Sequence, residues 1–157
     1  MNANSTTAED RLAKLGVRLP DAPSPLGAYV PAIQTGNLLF LSGMLATVGH
    51  TPAITGVVGK DLDVSGGQKA AYAAALNVLA LTKKQLGSLN RVSQFVRLSV
   101  FIAATAEFTE HPRVADAASE LLRAVFGENT VPSRLVIGVA SLPLGSPVEL
   151  EVILEVK

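Results

Sequence analysis

Hydrophobic and polar positions along the chain predict two long helices. The stretch from Ser65 to Leu86 is rich in alanine and leucine at helical spacing, and Gly87 ends it. A second helix is predicted from about Pro112 to the residue before Gly127, because a proline is tolerated in the first turn of a helix. The many alanines of the first helix favour close packing against a flat sheet.

Strands are predicted where apolar residues alternate with polar ones or form short runs between turn residues. Gly36-Asn37 is a hairpin turn signal, and Pro31 lacks a backbone donor, so the first strand should lie at a sheet edge or carry a bulge. The predicted strands are Ala28–Gln34, Leu38–Ser42, a short one near Ile54–Val58, Arg91–Ala103, Ser133–Ala140 and Val148–Val156.

The order of these elements is β-β-(β)-α-β-α-β-β, which predicts an α+β sandwich with one mixed sheet and two helices on one face. The last strand alternates cleanly and places Glu149, Glu151 and Glu155 on the face opposite its valines and leucines. We expect that face to be open to water or to another subunit.

The N-terminal segment, residues 1–25, is predicted to be a tail outside the main domain of residues 26–157. Its first residues are expected to be disordered. A short helix should follow, capped by Thr6 or Thr7, with Leu12 and Leu15 facing inward. The proline-rich stretch Pro20–Pro25 then forms a stiff linker that cannot be helical.

Composition and charge exclude several classes of chemistry. The 157 residues contain no cysteine, which excludes a thiol nucleophile, a thiolate zinc site and a disulfide scaffold. Thirteen basic residues balance thirteen acidic ones without a basic stripe, so we expect no nucleic-acid partner held by its phosphates. Near-zero net charge favours self-association.

No targeting or membrane segment is evident in the sequence. The start is polar and lacks the apolar region of a signal peptide, and no apolar run approaches the roughly 20 residues of a membrane span. We therefore expect a soluble cytoplasmic protein with no membrane partner.

Two charged residues near the C-terminus are the main candidates for chemistry. Arg134 begins an otherwise apolar strand and is either a surface charge, as most arginines are, or a positioned anion clamp. Glu149 lies fifteen positions later after a tight turn, so the two strands could pair and bring the carboxylate near the guanidinium. Such a pair is either a cross-strand ion pair or part of a site in which the carboxylate orients or deprotonates water.

Other polar residues are structural candidates when taken alone. Tyr29 and Ser42 lie on the first predicted hairpin, His50 lies in a glycine-rich loop, and His111 precedes the helix proline. Neither a Gly-x-Ser-x-Gly nucleophile elbow nor a phosphate-binding loop is present, and the histidines do not have metalloprotease spacing.

Two segments carry a family resemblance. The run GAYVPAIQTGNLLFLSG, residues 27–43, resembles the opening hairpin of the RidA (YjgF-like) reactive-intermediate deaminases. The tail VPSRLVIGVASLPLGSPVELE, residues 131–151, resembles the C-terminal signature of that family, with the arginine and the glutamate fifteen positions apart. The resemblance extends from about Leu15 to Lys157.

The resemblance implies a chorismate-mutase-like α/β fold and a homotrimer whose sheets form a barrel, with ligand sites in clefts between subunits. By position, Arg134 matches the arginine that grips the substrate carboxylate, and Glu149 matches the glutamate that orients the attacking water. Tyr29 and Ser42 match residues that line the same cleft. The implied reaction is hydrolysis of 2-imino acids to 2-oxo acids and ammonia, which requires no metal and no cofactor.

The sequence also departs from the family pattern at two substrate-binding positions. The pair His111-Pro112 stands where better-known members have an asparagine, so His111 is a candidate replacement, and Val136 stands where many have a cysteine. These departures indicate a divergent branch. Alternatives to the deaminase are a non-catalytic binder of small carboxylates, acting as a sensor or scavenger, and, less favoured, an endoribonuclease.

Overall fold

The computed structural model describes residues 6–157, so the expected disorder at the start of the chain concerns residues that lie outside the described ones, apart from Thr6. The first helix, α1, begins after Thr7, which caps it through a reciprocal pair of hydrogen bonds with Asp10. Leu12 is buried as predicted. The expectation for Leu15 was wrong: it is 47% exposed because it caps the C-terminus of the helix.

Three helices and seven strands follow one another along the described chain. They are α1 (Ala8–Lys14), β1 (Ala32–Thr35), β2 (Leu38–Leu45), β3 (Thr47–Val48), β4 (Thr51–Pro52), α2 (Val64–Leu86), β5 (Val92–Ala103), α3 (His111–Phe126), β6 (Ser133–Val139) and β7 (Val148–Val156).

The main sheet is mixed, as predicted, and has the strand order β1-β2-β7-β5-β6. Only the β5–β6 pair is parallel. The long helices α2 and α3 pack together on one face, where alternate residues of β7 are buried among them. The opposite face carries partly exposed apolar side chains, among them Ile33, Phe40, Leu135 and Ile137.

Two predicted strands differ from the structure. The first strand starts at Ala32 instead of Ala28, because Pro31 cannot donate to the ladder; as predicted, it lies at a sheet edge. The short strand near Ile54–Val58 is absent from the described fold, and the ribbon β3–β4 forms just before it. Gly56 and Gly59 have positive φ, which interrupts an extended backbone on both sides of Val57 and Val58.

The predicted pairing of the last two strands is also wrong. Strand β5 lies between β6 and β7, pairing with β6 in parallel and with β7 antiparallel. A parallel partner for β6 is available because α3 carries the chain back along the sheet between β5 and β6. Arg134 and Glu149 therefore lie on strands that are not neighbours.

Helix α2 packs on the sheet and is hydrogen-bonded to the segment at the end of β2. Its alanines at 70, 71, 74 and 75 are fully buried, which brings the helix close to the strands. Further along, the buried Asn77 donates from Nδ2 to the carbonyl oxygens of Leu45 and Thr47, each at 2.9 Å. This amide satisfies one backbone acceptor at the end of β2 and one at the start of β3, where the chain leaves the main sheet for the β3–β4 ribbon.

We predict that Asn77→Ala lowers the free energy of unfolding by about 2–3 kcal/mol, because it leaves buried carbonyl groups without a donor. Urea denaturation would measure the change. Asn129→Ala, at an exposed position, is the control and should change stability by no more than about 0.5 kcal/mol. Equal denaturation midpoints for the two variants would contradict this role of Asn77.

Candidate functional site

A cleft of about 470 Å³ lies between the proline-rich segment before β1 and the strands β2 and β7. Pockets of this size are typical of small-molecule sites. Its walls are mostly apolar, with a few hydroxyl groups and one carboxylate. The residues that line it are Pro23, Ser24, Pro25, Leu26, Gly27, Tyr29, Pro31, Ser42, Gly43, Met44, Leu45, Thr47, Gly49, Pro143 and Glu149.

The carboxylate of Glu149 is held in this cleft by an irregularity of β2. Between Leu41 and Met44 the ladder to β7 slips by one residue, so Ser42 and Gly43 together oppose Glu151. The Glu149 side chain then lies directly against Gly43: a Cβ atom at that position would overlap Oε1 and lie 2.9 Å from Cδ. Glycine at position 43 is therefore what allows the carboxylate to occupy this place.

The environment of Glu149 favours its neutral form. The residue is half-buried, and its desolvation raises the pKa of the carboxyl group above the ordinary value. A carboxyl group with a raised pKa next to a cavity is more basic than an ordinary carboxylate, which suits it to accepting and returning a proton.

Tyr29 and Ser42 lie beside Glu149 in the same cleft, so the structure brings together three of the residues singled out in the sequence. The Ser42 hydroxyl donates to the Val30 carbonyl at 2.7 Å, and the Tyr29 hydroxyl accepts from the Leu26 amide at 3.1 Å. Both hydroxyls thereby fix the chain that enters β1. Each is positioned by backbone contacts and remains at the wall of the cavity.

Arg134 lies elsewhere, on the helix-facing side of the edge strand β6. It is in register with the buried Leu98 of β5, and its Nη1 donates to Asp116 Oδ1 at 2.7 Å and to Ser119 Oγ at 3.0 Å. Asp116 and Ser119 are on α3, three positions apart and therefore on one face of that helix. The guanidinium is thus fixed between the sheet edge and α3.

His111 and Val136 belong to the same edge as Arg134. Val136 is half-buried two positions along β6, and the imidazole of His111, the first residue of α3, lies over Gly138. A Cβ atom at Gly138 would lie 2.5 Å from His111 Nε2, so the absence of a side chain there makes room for the ring. Phe108 contacts the same imidazole edge-on, with the ring centroids 5.0 Å apart. We call Arg134, Val136, His111, Asp116 and Ser119 the edge cluster.

Within one chain the edge cluster and the cleft do not meet. Arg134 is in register with Leu98, whereas Glu149 is in register with Phe101 on the other side of the same strand. An odd separation along β5 puts the two side chains on opposite faces of the sheet, about 10 Å apart along the strand direction. The guanidinium and the carboxylate of a single copy therefore cannot hold one small ligand between them.

Two groups of residues at these sites were not predicted from the sequence. The only signal from Asp116 and Ser119 is their helical spacing, which puts them together on one flank of α3, outside its apolar side. The cleft wall formed by Pro23, Pro25 and Leu26 carries none, because a proline-rich segment indicates stiffness but not where it lies.

Residues 6–157 lack both a cluster of metal ligands and a helix suited to spanning a membrane. No group of three or more histidine, aspartate or glutamate side chains in this part of the chain is arranged to hold a metal ion. No helix there is long and apolar enough to cross a bilayer.

Several known proteins are similar to this chain in sequence or in structure. Protein TCP17 of Trypanosoma cruzi is 40% identical over 145 residues, which cover 92% of this chain and 91% of that protein. A 2-iminobutanoate/2-iminopropanoate deaminase of Dermatophagoides farinae is 29% identical over 142 residues, covering 90% and 95%. The crystal structure of Atu1372, a protein of unknown function from Agrobacterium tumefaciens, is 40% identical with a TM-score of 0.87, covering 96% of this chain and 92% of that one.

The match to a family is nearly as long as the chain. Residues 9–156 fit the family described as "YjgF/chorismate_mutase-like, putative endoribonuclease". The mixed sheet under two helices agrees with this match, as does the similarity to the solved structure above. The chain therefore belongs to the YjgF/chorismate mutase-like family.

Proposed function

We propose that this protein is an imine deaminase that hydrolyses 2-imino acids to 2-oxo acids and ammonia. The observation that carries the proposal is the half-buried Glu149 carboxyl group, held against Gly43 beside Ser42 in an otherwise apolar cleft. A relative with 29% identity over most of both chains is named as a deaminase of 2-iminobutanoate and 2-iminopropanoate, which supports the same chemistry.

The proposed reaction needs few groups. Glu149 accepts a proton from a water molecule while the water oxygen forms a bond to C2 of the imine, and the electrons of the C=N double bond move to nitrogen. The carboxyl group then returns the proton to the nitrogen. The C2 hydroxyl then gives its proton to Glu149, which passes it to the amino nitrogen as the C–N bond breaks, so that ammonia leaves and the 2-oxo acid forms. One imine and one water thus give one oxo acid and one ammonia.

In this proposal the substrate carboxylate is bound by Arg134 of a second copy of the chain. A guanidinium can make two parallel charge-assisted hydrogen bonds to a carboxylate, which suits this task. The edge cluster lies at an edge of the sheet, and the open face of the sheet carries exposed apolar residues, so both surfaces are available for association. A homotrimer with a cleft between neighbours would bring the edge cluster of one copy to the Glu149 cleft of the next.

We expect Glu149→Gln to lower kcat/KM for 2-iminobutanoate by about 10²-fold or more, because glutamine keeps the shape of the side chain but cannot accept the proton. The substrate is generated in situ with threonine dehydratase, and its loss above the spontaneous rate is measured. Glu155→Gln, on the same strand and face, is the matched control, since its amide oxygen can still accept from Asn37. Equal rates for wild type and Glu149→Gln would refute the role of Glu149.

The pH dependence tests the same group independently. Burial raises the pKa of Glu149, and only the ionised form accepts the proton. The value of kcat/KM should therefore fall as the pH is lowered through an apparent pKa above the ordinary value for glutamate. The residual activity of Glu149→Gln should lack this acidic limb. If the acidic limb of the kcat/KM profile is unchanged in Glu149→Gln, it reports the titration of another group or of the substrate, and the prediction is wrong.

Mixing two inactive variants tests whether the site forms between copies. Arg134→Ala and Glu149→Gln chains, co-expressed with different tags, should each be inactive alone but active in mixed oligomers. Each residue is intact in half of the chains, so about one quarter of the clefts regain both groups if assembly is random. Inactive mixed oligomers, verified by purification through both tags, would show that the two residues do not combine across copies.

A further inference from the structure

The cleft beside Glu149 is much larger than the reacting atoms require. Ser42, Gly43 and Glu149 also line a second depression of about 330 Å³ on the other side, so they lie at the junction of the two cavities. The remainder of the 470 Å³ cleft extends away from the carboxyl group, beneath residues 23–27. A methyl or ethyl substituent would leave most of this space unfilled.

The lining of this extension is mostly apolar, with hydroxyl groups from Ser24 and Thr47. Beyond Tyr29, the apolar side chains that define it include Pro23, Pro25, Leu26, Leu45 and Pro143. None of the described residues that line the cleft, apart from Glu149, carries a charged side chain. Such a surface favours an apolar group over a polar or charged one, because burying a polar group without a partner is costly.

The segment that covers the cleft is fixed in place. At its N-terminal side, α1 is anchored through Glu9, which accepts from Lys83 Nζ at 2.8 Å and from the Leu89 amide at 3.0 Å. In its middle, Ser24 Oγ is hydrogen-bonded to His50 Nε2 at 2.7 Å. The prolines at 20, 23 and 25 further restrict the backbone. The wall is therefore preformed, and a ligand does not have to order it on binding.

We propose that the cleft selects substrates with a bulky apolar side chain: 2-imino acids derived from leucine or phenylalanine in preference to those derived from alanine. The inference rests on the proposed function and adds the substrate class to it. In this arrangement Glu149 faces the imine carbon, and the side chain of the substrate lies beneath residues 23–27 against Leu26 and Leu45.

The test compares imino acids generated in situ by an L-amino-acid oxidase from alanine, leucine and phenylalanine. We expect kcat/KM to be about tenfold or more higher for the leucine and phenylalanine derivatives than for the alanine derivative. Leu26→Ala should reduce this preference severalfold, because it removes part of the apolar wall. Leu15→Ala is the matched control, because Leu15 and Leu26 have similar exposure, 47% and 44%, and Leu15 lies outside the cleft.

The possible outcomes separate this inference from the proposed function. Hydrolysis of all three substrates with equal or reversed preference would overturn the inference and leave the deaminase activity standing. If no imino acid is hydrolysed above background, the proposed function fails, and calorimetry with pyruvate, 4-methyl-2-oxopentanoate and phenylpyruvate tests the cleft directly. Binding of the two larger acids at least tenfold more tightly would support an apolar side-chain pocket, and equal affinities would overturn it.

Discussion

The contact between Glu149 and Gly43 is the constraint on which the cleft depends. A regular ladder between β2 and β7 would continue the alternation of faces, but the extra residue in β2 shifts the backbone so that the carboxyl group rests on a glycine. The same bulge sets the direction of Ser42, whose hydroxyl holds Val30 and with it the chain that leads back to the proline-rich segment. One irregularity thus positions the carboxyl group and the wall opposite it.

The strand order determines what a single copy can do. Because β5 lies between β6 and β7, the sheet separates the guanidinium of Arg134 from the carboxyl group of Glu149, and each is completed by different neighbours. The first is fixed by α3 and the second by β2. Each of the two polar clusters lacks the charged group that the other contains, and the open face of the sheet carries exposed apolar residues. Such a fold is suited to a function that arises when copies of the chain associate.

The periodicity of the sequence predicted most elements because they depend on local chemistry. The Thr7 cap, Gly87 after α2 and the Gly36-Asn37 turn each act within a few residues. The pairing of strands does not depend on local chemistry. The short connection between β6 and β7 suggested that these two strands are neighbours, but β6 pairs in parallel with β5, and β5 therefore lies between them. Similarly, Glu149 was singled out by its position after a tight turn, and Tyr29 and Ser42 by resemblance. The apolar wall of the cleft, in contrast, depends on where a proline-rich segment folds back, which no local pattern encodes.

In the edge cluster, Arg134 is oriented by hydrogen bonds that engage only some of its N–H donors. Both hydrogen bonds from Arg134 to α3 leave from Nη1, and none of the hydrogen bonds among residues 6–157 involves its Nε or Nη2. A guanidinium has five N–H donors in one plane, so the pair with Asp116 restricts the rotamer while the donors on Nε and Nη2 remain for a ligand. Asp116 also offsets part of the positive charge, so an incoming carboxylate must be recognised by geometry as well as by attraction. For a site assembled from two copies, a rotamer fixed before association lowers the entropic cost of forming it.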